Sequence, residues 1–366
     1  MEFPPAPSDS VDWKSLGFTI TEVNGHIEAK WSSKTGSWGS PTFVADPYIR
    51  LHGLAPALNY GQQAYEGLKA LRTADNQILI FRPRKNAARF VHSASFISIP
   101  PVPEELLVEC VHAAVALNAE YVPPHETGAA MYIRPLIFGS GAELRSQPPA
   151  EFTLCVYVNP VGTYHGAHPV KALVIEEYHR AAPKGTGSAK VGGNYAPVMR
   201  WQKQAAEQGY GITLHLDAKT ESEIDEFSSS GFIGVKKDKE DNITLVLTNS
   251  KNIIDSITVD SCLGIGKSLG WNIEVRPIKY EEVGSFSEVL AAGTAAALLP
   301  IRSITRPSTS ETVSYINDSS EEPGPVCSTL LATLKGIQSG KIKDAFGWTY
   351  PVHAVDAKQY SAQAQN

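Results

Sequence analysis

The sequence predicts a two-domain α+β protein, and three observations carry that prediction. The chain has 366 residues, more than one hydrophobic core usually organises. Helical and strand-like patterns follow one another without the strict βαβ alternation of a doubly wound sheet. One turn-rich stretch, Asn159-Pro160-Val161-Gly162-Thr163-Tyr164-His165-Gly166-Ala167-His168-Pro169, interrupts them and reads as a linker. The expected division is a smaller N-terminal α+β domain over 1–158, a linker over 159–168 and a larger C-terminal domain over 169–366.

The elements follow in order. Phe18–Thr21 and His26–Ala29 flank Asn24-Gly25, a hairpin signal because Asn-Gly favours the tight turns that join twisted strands. Ile78–Phe81 is a short apolar strand. Pro83 opens a helix running towards Ile97, since its fixed φ suits a first turn, with Asn86, Arg89, Phe90 and Ser93 at helical spacing. A second helix starts at Pro103-Glu104-Glu105 and carries Leu107, Cys110, Val111, Ala114 and Val115 as one apolar stripe. Tyr132–Phe138 and Phe152–Val158 read as buried strands. Beyond the linker, strands are expected at 170–176, 211–216, 232–236, 244–247, 273–278 and 288–292. Helices are expected at 196–207, 258–269 and 326–339.

Composition excludes several functions. A net charge of −6 and a pI near 6.0 leave no surface rich enough in Lys and Arg to neutralise a polyanion. No apolar run reaches the roughly 20 residues of a membrane helix; the longest, Val289–Ile301, is broken by Gly293, Thr294 and Pro300. The start, Met1-Glu2-Phe3-Pro4-Pro5, matches neither a signal peptide nor an Arg-rich presequence. Cys110, Cys155, Cys262 and Cys327 are widely spaced, which fits neither zinc spacing nor a disulfide framework. A cytoplasmic protein without a bound metal is expected. The phosphate-binding GxGxxG and GxxxxGK[ST] loops are both missing.

The most unusual segment is His179 to Pro197, where small residues crowd around Lys190 and two glycines follow close behind it. A nucleophilic lysine needs partial burial, which lowers its pKa, and room for a planar adduct. Taken alone, Lys190 reads as a solvated loop lysine. Further on, Glu226 enters an apolar strand, where a carboxylate is costly unless a cation meets it. Ser256 stands before the helix through Leu269, so the N–H groups at Ile257 and Thr258 form an anion-binding helix start. Gly293-Thr294-Ala295-Ala296 offers another set of backbone donors beside a hydroxyl. Arg89 supplies a permanent charge of the kind phosphate takes.

In this order the signals resemble the branched-chain aminotransferase family, the class IV (fold-type IV) pyridoxal-phosphate enzymes. The match covers nearly the whole chain. Tyr65-Glu66-Gly67-Leu68-Lys69 and Lys190-Val191-Gly192-Gly193-Asn194-Tyr195 are its most specific pieces. Phe81-Arg82-Pro83 with Arg89, Tyr132-Ile133-Arg134-Pro135, Pro160-Val161-Gly162-Thr163-Tyr164, Glu226, Ile257-Thr258 and Gly293-Thr294-Ala295-Ala296 support them. The resemblance implies a fold with pyridoxal 5′-phosphate between the domains and a C-terminal domain that binds it. It implies that Lys190 carries the cofactor as a Schiff base and shuttles a proton, and that Glu226 pairs with the pyridine nitrogen. Tyr195 meets the phenolic oxygen; Arg89, Ile257, Thr258 and Thr294 hold the phosphate, and Ser229 offers a hydroxyl nearby. Tyr132, Thr294 and Ala295 would take the substrate α-carboxylate. Arg134, with Tyr60 and Tyr164, would take the side-chain carboxylate of glutamate. Tyr65, Val161 and Leu144 would line the pocket, Leu144 from a loop that reaches a neighbouring subunit. The implied reaction is ping-pong transfer of the amino group of L-leucine, L-isoleucine or L-valine to 2-oxoglutarate by a homodimer.

Several positions depart from the family pattern. Arg145 and Ser146 stand where a glycine and an apolar residue are common. Phe227-Ser228-Ser229-Ser230-Gly231 replaces Gly-Thr-Met-Asn after the glutamate. Asp255-Ser256 replaces Pro-Gly, and Ala296 and Leu299 replace a redox CxxC. These changes suggest a specialised-pathway member. The alternatives are a transaminase of the same fold for (R)-amines, D-amino acids or a secondary-metabolism amino acid, a lyase of that fold, and a non-catalytic paralogue.

Overall fold

A computed structural model describes residues 2–162 and 168–361. The chain forms two compact units, one of Met1–Thr163, Ala189–Gly193 and Gly336–Asn366, the other of Tyr164–Ser188 and Asn194–Lys335. The sequence reading gave 169–366 to the second domain as one stretch; the structure returns Ala189–Gly193 and Gly336–Asn366 to the first unit. Backbone pairing is the reason. Val191 bridges to Ala64, and Thr349–Pro351 pairs antiparallel with Ile78–Phe81. The strand Glu151–Val161 also runs through the first residues of the predicted linker.

In the first unit a nine-stranded sheet has Ala130–Gly139 and Glu151–Val161 at its centre, paired antiparallel over ten residues. The helices Pro83–Ser95 and Glu104–Ala116 bury Phe90, Leu107, Val111 and Ala114 in one core with Ile27, Ile133, Leu154 and Val156. Full burial of each large apolar side chain contributes about 1.5–3 kcal/mol, which outweighs the modest propensities of this mixed sequence. The predicted hairpin at Asn24-Gly25 does not form. His26–Ser32 pairs with Glu151–Val161 instead, and residues 18–21 are no strand, with Phe18 and Ile20 exposed. Gly25 has φ +154, far from the values of a tight hairpin turn, and its carbonyl accepts from Asn118 Nδ2.

The second unit holds a nine-stranded mixed sheet in the order Ile224–Phe227, Ile212–Leu216, Val170–Ile175, Ala297–Arg306, Glu288–Gly293, Gly231–Lys237, Ile243–Leu247 and Asn272–Val275, with Glu311–Ser314 on Ala297–Arg306. Strands covered on both faces read as unbroken apolar runs. Val289–Ile301 is therefore two strands, folded back at Gly293–Ala296 with Ala297 at φ 62. Ala297–Arg306 is not predicted from the sequence for that reason. The helices Gly192–Glu207, Ile257–Ser268 and Pro325–Gln338 agree with expectation to within a turn, apart from the earlier start of the first. Among the described residues, no helix is long and apolar enough to cross a membrane, and all four cysteines are buried free thiols.

Candidate active site

The first unit fixes Lys190 by its backbone. Its N–H donates to Ser93 Oγ at 2.8 Å, and its carbonyl accepts from Tyr65 N–H at 3.1 Å. Gly192 follows it, and a Cβ there would displace the Gln63 side-chain amide. The amine of the half-buried Lys190 lies 4.6 Å from the centroid of the Tyr65 ring. An aromatic face attracts a cation, so the ring helps to position the amine.

A guanidinium joins the same group. Arg134, on Ala130–Gly139, sets its Cζ 5.0 Å from the Tyr65 ring and 5.1 Å from the Tyr132 ring. Its Nη2 donates to Tyr132 Oη at 3.2 Å. Gly67 makes this arrangement possible, since a Cβ at that position would overlap the Tyr132 hydroxyl.

Arg89 lies on the helix Pro83–Ser95. It is buried and clamps the fully buried Glu66, with Nε and Nη2 each donating at 2.7 Å to one carboxylate oxygen. A bidentate pair of this kind compensates the desolvation of both charges and fixes the orientation of the guanidinium. Glu66 was legible as part of the Tyr-Glu-Gly run, but nothing local linked it to Arg89. Tyr60 is exposed, and its hydroxyl donates to the carbonyl of Leu144, itself exposed. Arg145 there folds onto Glu143, with its Nε donating at 3.1 Å. Val161 is buried opposite Ala130. Tyr164 lies outside the described residues.

In the second unit Glu226 is buried on Ile224–Phe227, opposite His215 of Ile212–Leu216. The turn between these strands is wound around Asp217, whose carboxylate accepts from the N–H groups of Thr220, Ser222 and Glu223. Glu226 has a partner that no sequence pattern foretold. Nη1 of Arg180, also buried, donates to its carboxylate, and Arg180 Nε donates to the Ser228 carbonyl at 3.1 Å. The same guanidinium lies 5.3 Å from the ring centroid of Tyr195. Arg180 thus joins Glu226 and Tyr195 in one group. The only local hint was an arginine in the unusual loop before Lys190. Ser229 is exposed; Ser228 is the buried serine. Burial, reinforced by Arg180, pushes the neighbouring His215 down to about 3, so that imidazole is neutral.

The same unit holds the start of Ile257–Ser268. Ser256 is its N-cap, accepting from Val259 N–H and donating to the Ala292 carbonyl, both at 3.3 Å. That second bond ties the helix start to the strand leading into Gly293–Ala296. Gly231 and Gly293 keep the cradle narrow: a Cβ on Gly231 would come within 2.6 Å of Val259, and one on Gly293 within 2.7 Å of Ser230. Ile257 and Thr258 are buried in the first turn, and Thr294 and Ala295 lie in the strand turn. A helix start and a turn of small residues, tied together, form a cradle of the kind that can hold an anion.

The model of the amino-transferase class IV family matches residues 63–304. The chain is a class IV aminotransferase. The aminotransferase is 52% identical to aminotransferase poxL of Penicillium oxalicum over 352 residues, covering 96% of this chain and 95% of the relative. It is 50% identical to transaminase AMT5 of Alternaria alternata, covering 98% and 96%. Its fold is that of the Escherichia coli branched-chain amino acid aminotransferase, at TM-score 0.74 and 24% identity over 90% of this chain and 100% of that one. The T.th. branched-chain amino acid aminotransferase, solved with pyridoxamine 5′-phosphate, superposes at TM-score 0.72 and 25% identity over 92% and 100%. The aminotransferase is thus a two-domain α+β enzyme of fold type IV, acting on amino and oxo acids with pyridoxal 5′-phosphate as cofactor. Each unit by itself carries groups that suit that cofactor: the first a positioned amine, the second a buried carboxylate and a capped helix start able to hold an anion.

Proposed function

We propose that this aminotransferase moves the amino group of an L-amino acid with an apolar side chain, of the leucine, isoleucine and valine type, to 2-oxoglutarate. The observation that carries the reading is the Lys190 amine beside Tyr65, with Arg134 between the Tyr65 and Tyr132 rings. Rings receive an aliphatic side chain, and a guanidinium reached past them receives a second carboxylate. A ping-pong enzyme must accept both in turn.

Pyridoxal phosphate, when bound, supplies an electron sink for the electrons left at Cα. The chain supplies the rest. Lys190 would hold the cofactor through Nζ, and the same amine would move the proton to and from Cα. Glu226 would face the pyridine nitrogen, with Arg180 holding its carboxylate in place. Tyr195 donates to the phenolic oxygen. Arg89, Ile257, Thr258 and Thr294 hold the phosphate, with Ser229 at its margin. Tyr132 and the amides of Thr294 and Ala295 orient the α-carboxylate. Arg134, Tyr60 and Tyr164 take the distal carboxylate, while Tyr65, Val161 and Leu144 line the apolar part. The loop carrying Leu144 is proposed to serve a second copy, which makes the working form a homodimer. Arg145 and Ser146 support a second reading, a longer or more polar side chain than that of leucine.

A donor panel read by cofactor absorbance tests this. Leucine, isoleucine and valine should convert the bound cofactor to its amine form, and 2-oxoglutarate should reverse the change. Lys190→Ala should abolish turnover by a folded protein. Discharge by D-alanine or (R)-1-phenylethylamine, with leucine inert, overturns the substrate class; a wild-type protein that takes up no cofactor overturns the mechanism.

A further inference from the structure

The strand His26–Ser32 alternates. Ile27 and Ala29 enter the core of the first unit, so His26 and Glu28 face the other side of the sheet. Cys155 is the register partner of Glu28 on the neighbouring strand and shares that side. His26 Nε2 lies 3.3 Å from Glu28 Oε1, and Cys155 Sγ lies 4.0 Å from the same oxygen. One donor atom from each of the three residues falls within 4.8 Å of the others. His26 and Cys155 are fully buried, and the His26 ring stacks on Tyr157 at 4.3 Å. Its Nδ1 is buried without a hydrogen-bond partner, so no second bond dictates which nitrogen carries the proton.

We propose that His26, Glu28 and Cys155 form a binding site for one divalent transition ion of the zinc class. Nitrogen, oxygen and sulfur ligands bond zinc at about 2.0–2.3 Å, which places neighbouring tetrahedral ligands roughly 3.3–3.6 Å apart. The histidine and glutamate already have that spacing. The cysteine reaches it by a side-chain movement of roughly 1 Å. Binding replaces the thiol proton, which leaves to solvent, and water takes the fourth position. Lys30 Nζ, 3.5 Å from Glu28 Oε2, is the opposing cation; its side chain is 73% exposed and swings into water. The ion would pin His26–Ser32 to Glu151–Val161.

The experiment uses the full-length, cofactor-loaded protein without a histidine tag, stripped with a chelator and titrated with Zn²⁺ and with Co²⁺ as the visible probe. One ion should bind per chain, Co²⁺ should give thiolate charge-transfer absorption, and the melting temperature should climb with free Zn²⁺. Cys155→Ser should remove the charge-transfer band, and His26→Gln should weaken Zn²⁺ binding at least tenfold, with transaminase turnover unchanged in both. Glu28→Gln keeps the thiol and should also weaken binding, which covers the case of an unfolded Cys155→Ser. No stoichiometric uptake at micromolar metal, or a charge-transfer band that survives in Cys155→Ser, overturns the site.

Discussion

Arg180→Met is the sharpest test of how the buried carboxylate is held. The substitution keeps an apolar stem but removes a cation that meets Glu226, the Ser228 carbonyl and the Tyr195 ring. Glu226 and Arg180 are 3% and 4% exposed, so bulk water screens this pair weakly. Breaking such a pair from one side costs about 3–5 kcal/mol. At about 2–4 °C per kcal/mol for a unit of this size, the apoprotein should melt roughly 6–20 °C lower. Adding Glu226→Gln removes the charge that Arg180 met and should recover part of that loss, a coupling of about 1–2 kcal/mol. The proposed role of Glu226 adds a second signature. A protonated pyridine nitrogen is a replacement cation, so cofactor should restore more stability to Arg180→Met than to wild type. Thermal unfolding of wild type, both single variants and the double variant, with and without cofactor, reads all of this. An Arg180→Met protein melting within about 2 °C of wild type, or a double variant no better than the sum of the singles, would refute the reasoning.

Glu288 accepts from the N–H groups of Val326 and Cys327 at 2.9 and 3.0 Å, capping Pro325–Gln338 from a neighbouring strand. Glu288→Ala should cost about 3 kcal/mol in urea unfolding, from two charge-assisted bonds at a helix start, and Glu288→Gln about half. His215 titrates near 6.5 when unfolded and near 3 in the native protein. Protons therefore bind the unfolded chain first, and stability should fall by up to about 1.4 kcal/mol per pH unit as pH drops below 6.5. Stability curves of wild type and His215→Leu should diverge in that window and run parallel above it. Gly67→Ala places a methyl where the Tyr132 hydroxyl lies. Loss of its bond with Arg134 should lower kcat/KM roughly 10–100-fold while circular dichroism stays unchanged.

The chemistry of this chain was legible because its reactive residues come in short runs. Lys190 with its glycines, the Tyr65–Lys69 run and the Ser256 cap each carry a local backbone requirement that leaves a mark in sequence. The helices were legible for the same reason: apolar spacing and caps act within a few residues. Pairing across the chain was not. No pattern near Glu66 points to Arg89, 23 residues on, and none near Glu226 points to Arg180, 46 residues back. The hairpin expected at Asn24-Gly25 failed because a longer ladder with Glu151–Val161 was available to the same strand. The unit to which 189–193 and 336 onward belong was likewise decided by sheet pairing. Sequence determines which groups can do chemistry and how the chain turns beside them. Tertiary structure alone decides which buried charge meets which, because desolvation makes an unmatched ion too costly to leave and the partner comes from wherever the sheets bring it.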